Sequence, residues 1–111
     1  MDTLDKYRQI IETILQEYTT IPYRYGDVKD ELIISRNQCR YLVITMGWEA
    51  EKRVHGCLIH IDIIDHKIWI QRDGTEDGIA NDLVAAGIPK EEIVLAFHPP
   101  EIRQYTGYAI A

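Results

Sequence analysis

Apolar and polar residues follow two rhythms along this chain. Between residues 2 and 19, Leu4, Tyr7, Ile10, Ile11, Ile14, Leu15 and Tyr18 recur every three to four positions. That is the period of one helix face, and it predicts an amphipathic helix. Asp2 or Thr3 is suited to cap its start, and Pro22 closes it off. A polar loop over residues 23–29 follows.

From residue 31 onward the rhythm shortens to two. Residues 31–35 read as a short strand, Asn37-Gln38 as a turn, and residues 40–48 as a longer strand with Leu42, Ile44 and Met46 on one side. Residues 49–52 form a charged connection. Residues 54–64 and 67–72 make a hairpin around Asp65-His66. A two-residue turn there pairs Ile64 with Lys67, Ile63 with Ile68, Asp62 with Trp69 and His60 with Gln71. Alternation then sets Cys57, Ile59, Ile61, Ile63, Ile68 and Ile70 on one face, under the first helix. Leu58, His60, Asp62, Lys67, Trp69 and Gln71 fall on the other.

Beyond Asp73-Gly74 the helical period returns over residues 76–86, with Thr75 as cap and Glu76 and Asp77 favourable in the first turn. Gly87 is suited to end that helix, and Pro89 to start a short turn at residues 90–92. Residues 93–97 are an apolar run whose period leaves strand and helix open. Pro99-Pro100 breaks the chain, and residues 105–110 read as a terminal strand. The sum is α+β: a mostly antiparallel meander, an N-terminal helix, a second helix after the central hairpin and a short C-terminal strand. At 111 residues, without internal repeats or a linker, the chain is one domain, residues 1–111.

Charge narrows the function classes. Twelve Lys and Arg stand against eighteen Asp and Glu, for a net charge of -6. The basic residues are scattered singly, whereas a DNA-gripping protein neutralises phosphates with a basic cluster. Strong direct nucleic-acid binding is therefore not expected. No basic stretch followed by an apolar run marks a secretory signal, and no segment approaches a membrane span, so the expectation is a cytoplasmic protein with no membrane contact. Cys39 and Cys57 match no zinc-ligand spacing and read as free thiols.

Three constellations invite a chemical reading. The tail FHPPEIRQYTGY, residues 97–108, holds His98, Arg103 and Tyr105, residue types that tyrosine recombinases use on DNA. Those enzymes need a His-x-x-Arg pair, a further Arg upstream and a nucleophilic Tyr tens of residues on. Here His98 and Arg103 are five apart and Tyr105 follows at once, so a stiff turn with half-buried, hydrogen-bonded Tyr105 and Tyr108 is the better reading. Asp65-His66-Lys67 spells the Asp-x-Lys of metal-dependent nucleases, but it sits at a hairpin apex where Asp suits the turn. His60 and Asp62 share a strand face without a third ligand, since His55 points away and His66 is in the turn. They are expected to bond each other or polar neighbours, with no metal or other cofactor. Finally, Gly47-Trp48, Leu58 and Trp69 put large apolar groups on the face away from the first helix. Either the second helix or another subunit covers them.

The order of several stretches resembles a known family. These are YRQII at residues 7–11, Gly47-Trp48, RVHG at 53–56, HIDI at 60–63, KIWIQ at 67–71 and DGTE at 73–76. GIPKEEIVLAFH at 87–98 and RQYTGYA at 103–109 complete the set. Together they are similar to XisI, the fdxN element excision controlling factor of heterocyst-forming cyanobacteria, and they span essentially the whole chain. The family more often has Gly where this chain has His66 and Ala96.

The resemblance implies a regulatory, non-enzymatic role in DNA recombination. XisI-like proteins resemble a factor needed, with a companion XisH, for excision of a DNA element, while a separate large serine recombinase, XisF, does the cutting. An XisH-like protein is thus the implied partner, and a homodimer is a second expected contact. Homologues also occur where no such element is known to be excised. The resemblance carries over no catalytic residues. The candidate interaction residues are Trp48, Arg53, His60, Asp62, Trp69 and Gln71 on the sheet, with His98, Arg103, Tyr105 and Tyr108 in the tail. The alternatives are a small DNA-binding directionality factor and a metal-dependent enzyme using His60, Asp62 or His98.

Overall fold

The computed structural model describes residues 2–22 and 26–111. Helix α1 spans Thr3–Thr19 and starts where the Asp2 carboxylate accepts the Asp5 amide. Five strands follow: β1 (Asp27–Ile34), β2 (Arg40–Glu49), β3 (Lys52–Ile64), β4 (Lys67–Asp73) and β5 (Ile93–Leu95). They lie in sheet order β1-β2-β3-β4-β5, antiparallel except for the β4–β5 pair. Helix α2 (Ile79–Ala85) and a 3-10 turn at Lys90–Glu92 carry the chain across to β5, and a single turn of helix, α3, spans Pro100–Arg103. This is the α+β meander that the periodicities predict. Of the loop expected at residues 23–29, residues 23–25 lie outside the described residues, and Asp27 to Lys29 already belong to β1.

The core lies between the sheet and the helices. Tyr7, Ile11 and Leu15 of α1 are buried against Tyr41, Val43, Ile59, Ile61, Ile63, Ile68 and Ile70. Ile79, Ala80 and Leu83 of α2 join the same cluster. Both helices therefore cover one sheet face. Tyr18 ties them together by donating its hydroxyl to the Asp82 carboxylate at 2.8 Å. Burial and that carboxylate push the Tyr18 phenol up to about 12.

Two irregularities correct the simple alternation. Val43 pairs with Ile59 but Ile44 pairs with Cys57, so Leu58 is an extra residue in β3. Leu58 and Ile59 then both serve the helix side, while Cys57 faces away from it. The expected places of Leu58 and Cys57 are thus exchanged, because one added residue shifts the two-residue period by one. A second shift, in β4, pairs His60 with Arg72 and leaves Gln71 as the extra residue. The core positions of β2 are Tyr41 and Val43, whereas Leu42, Ile44 and Met46 share the opposite face.

The chain ends of the elements follow side-chain chemistry. Helix α2 starts at Ile79, not near residue 76: its N-cap is Gly78 and not Thr75, and the Asp73 carboxylate ties down the segment before it. One oxygen accepts the Thr75 amide at 2.9 Å and the other the Ile79 amide at 2.8 Å. At the other end Gly87, at φ 116°, lets Ile88 N–H reach Leu83 C=O and Gly87 N–H reach Val84 C=O, a Schellman stop. The open choice at residues 93–97 resolves as strand β5, with Ile93 and Val94 buried. The terminal strand expected at 105–110 is reduced to one bridge, Val94 to Ala109. Gly47 is required where β1 crosses β2: its φ is +151° and a Cβ would strike the Asp27 carbonyl.

Three outcomes follow from this packing. Ile11→Ala should lose about 2–5 kcal/mol in urea unfolding, since it empties a fully enclosed site. His66→Gly should raise stability by about 0.5–1 kcal/mol, because Asp65 and His66 both occupy the left-handed region that glycine adopts without a Cβ penalty. Burial pushes the Tyr41 phenol from its ordinary 10 to about 12. A raised folded-state value favours the neutral phenol, so its contribution is complete below pH 10 and declines as pH rises toward about 12. Thermal melts over that window should fall less steeply for Tyr41→Phe.

Candidate interaction face

The sheet face away from the helices carries most of the candidate residues. Strand register sets Trp48 beside Arg53, Leu42 beside His60, and Asp62 between Arg40 and Trp69. Among the described residues, Asp62 is the buried charged residue, at 7% exposure. Its carboxylate is fully engaged. Oδ1 accepts Arg40 Nε at 3.0 Å and meets His60 Nε2 at 3.0 Å, and Oδ2 accepts Gln71 Nε2 at 3.4 Å. The expected His60–Asp62 bond is present, and Gln71 reaches Asp62 from the face that alternation already assigns it.

Arg40 is the member that sequence reasoning missed. It lies 22 positions from Asp62, and only the β2–β3 register brings them together. A buried carboxylate on a strand signals that some cation must face it, but not which one. Among the described residues no group of three His, Cys, Asp or Glu side chains is arranged to hold a metal ion.

The tail forms a wall at one side of the face. The Arg103 guanidinium stands 5.5 Å from the centre of the Trp69 ring. It is anchored by donating to His98 C=O at 3.1 Å and Ala96 C=O at 3.3 Å. Helix α3 begins at Pro100, where a missing N–H costs nothing. The three recombinase-like residues do not form a site. His98 offers Arg103 its backbone carbonyl, and its ring lies 4.7 Å from that of Phe97. Tyr105 is not half-buried as expected: it is 78% exposed beyond the end of α3. Tyr108 is half-buried against the core cluster, with Lys90 5.5 Å above its ring.

At the opposite side Trp48 is 51% exposed, with the Arg53 guanidinium 5.4 Å from its ring centre. Arg53 also donates to Gly47 C=O at 3.3 Å. Between Trp48 and Trp69 lie half-buried Leu42, Ile44, Met46 and Cys57. Burial pushes the Cys57 thiol up, so it stays protonated near neutrality. The second helix does not cover this face, because it packs beside α1 on the other side.

The fold and this face define a small two-layer α+β domain, helices on one side of a meander and an open, polar-networked sheet on the other. The chain belongs to the XisI family, whose model matches residues 1–110. A crystal structure of a XisI-like protein from Anabaena variabilis ATCC 29413 is 37% identical, with a TM-score of 0.88 over 98% of this chain and 100% of that one. The fdxN element excision controlling factor XisI from the same organism is also 37% identical, with a TM-score of 0.81 over 99% and 100%. No curated protein sequence matches the chain.

The Asp62 network yields a graded expectation. Asp62→Ala strands the polar hydrogens of His60 and Gln71 and should cost about 1–3 kcal/mol in urea unfolding. Arg40→Ala should cost less than about 1 kcal/mol, because the Arg40 side chain is largely in water.

Proposed function

We propose that this protein is a non-catalytic accessory factor that controls excision of a DNA element by a separate recombinase. The observation that carries this reading is its full-length likeness, at 37% identity, to an fdxN element excision controlling factor. The route of action is protein contact, with an XisH-like protein as partner. A net charge of -6 suits a protein partner better than duplex DNA. The side chains that a chemical reading would recruit are committed elsewhere: His60 to Asp62, and Arg103 to two backbone carbonyls. The working surfaces are the Trp48–Trp69 face and the exposed tail around Tyr105.

The experiment is co-purification with an XisH-like protein, followed by titration of the pair. A complex at micromolar concentration is expected, weakened about tenfold or more by Trp48→Ala or Tyr105→Ala if either aromatic is an anchor of the contact. Absence of a complex at that concentration removes the partner assignment. Gel shifts over a salt series test the competing reading: specific binding that weakens steeply with salt identifies a DNA-binding factor.

A further inference from the structure

The open sheet face has a charge opposite to that of the chain. Register assigns Lys29, Arg40, Arg53, Lys67 and Arg72 to it, and Arg103 joins them from the tail wall. Among the described residues, register puts three carboxylates there, Asp27, Glu31 and Asp62; Lys29 pairs with Glu31 at 3.2 Å, Arg40 with Asp62, and Lys67 donates to Ala111 C=O, which leaves Arg53, Arg72 and Arg103 without a carboxylate in the structure. Six cations thus meet three carboxylates on one face of a protein whose net charge is -6. The acidic surplus lies elsewhere, notably on Glu12 and Glu17 of α1 and on Glu76, Asp77 and Asp82 around α2. The floor between the cations is apolar: Leu42, Ile44, Met46 and Cys57 are half-buried, and Ile33 and Trp48 are 47% and 51% exposed.

We propose that this face docks an acidic amphipathic helix of a partner protein. The proposal rests on the reading that the protein acts through protein contact, and it names the chemistry of that contact. The helix lays its apolar stripe along Leu42, Ile44 and Met46, and its carboxylates reach Arg53 and Arg72. The geometry suits a helix: β2 runs for ten residues, roughly 34 Å, enough to seat several turns. The same sheet already seats α1 on its other side. Arg72 uses Nε on Cys57 C=O at 2.9 Å, and Arg53 uses one nitrogen on Gly47 C=O, so each guanidinium is held in place with further N–H groups for a carboxylate.

Two other occupants fit less well. A second copy stacked face to face would set like charges against each other, which disfavours pairing. A single-stranded nucleic acid would need indole faces for its bases, yet each tryptophan already holds a guanidinium of its own chain, at 5.4 and 5.5 Å.

Both tryptophans of the chain lie on this face, so intrinsic fluorescence reports on it directly. The test titrates the protein with a synthetic helical peptide of about four turns, bearing a leucine stripe flanked by glutamates. A matched peptide with lysines in place of the glutamates serves as control, and an oligothymidine as second probe. The expected result is a saturable shift with the acidic peptide alone, weakened by added salt and reduced about tenfold or more in the Arg53→Glu/Arg72→Glu double variant. Unfolding midpoints check that the variant folds, and Arg53→Gln/Arg72→Gln replaces it if it does not. Equal binding of both peptides, insensitivity to the substitutions, preference for the oligothymidine, or a fluorescence shift on protein concentration alone would each overturn the proposal. If the XisH-like complex forms but the acidic peptide does not bind, the docking chemistry falls and the accessory role stands. If the peptide binds and that complex does not form, the docking chemistry stands and the XisH-like partner assignment falls.

Discussion

The burial of an isoleucine-rich sheet face beneath two helices is the contact on which the other features depend. Ile59, Ile61, Ile68 and Ile70 are fully enclosed, and Ile11, Leu15, Ile79 and Leu83 close over them. The apolar area removed from water there stabilises the sheet and helices together. Because α1 and α2 are both spent on that side, neither covers the opposite face, where Arg103 of the tail lies over Trp69. The polar network, the two indole–guanidinium stacks and the cationic surplus all belong to that uncovered side.

The bulges are the second determinant. Leu58 turns inward and Cys57 outward, so the helix side gains an apolar side chain and the open side a small thiol. The extra residue at Gln71 moves Arg72 opposite His60, onto the open face. Without that shift the open face would lose one of its cations. Irregularities of this kind re-aim side chains at the expense of local pairing.

The tail shows how residue types mislead when spacing is ignored. Arg103 is a clamp: it ties α3 to the Ala96–His98 backbone and covers Trp69. His98 contributes a carbonyl and not its ring. Tyr105 is left in water because the helical turn started by Pro100 ends before it, and the chain then turns at Gly107 to bring Ala109 beside β5. A Tyr so exposed fits a contact surface better than a folded active site.

The sequence by itself determined the first helix, the meander, the central hairpin with its Ile64–Lys67 to Asp62–Trp69 pairs, the glycine stop after α2 and the His60–Asp62 bond. Each of these is a local matter, set by period, cap or turn chemistry over a few residues. The family resemblance was likewise legible, because its stretches run in order along the whole chain. Tertiary structure alone decided which face Leu58 and Cys57 take, that α2 starts after Gly78 with its first amide on Asp73 and not at Thr75, that residues 93–95 add a parallel strand, and that Arg40 meets Asp62. Those outcomes depend on a one-residue slip in register or on partners far apart in the chain, and neither leaves a periodic signal. That the second helix joins the first and leaves the other face bare is of the same kind: the connection after β4 sets it, not the pattern within the helix.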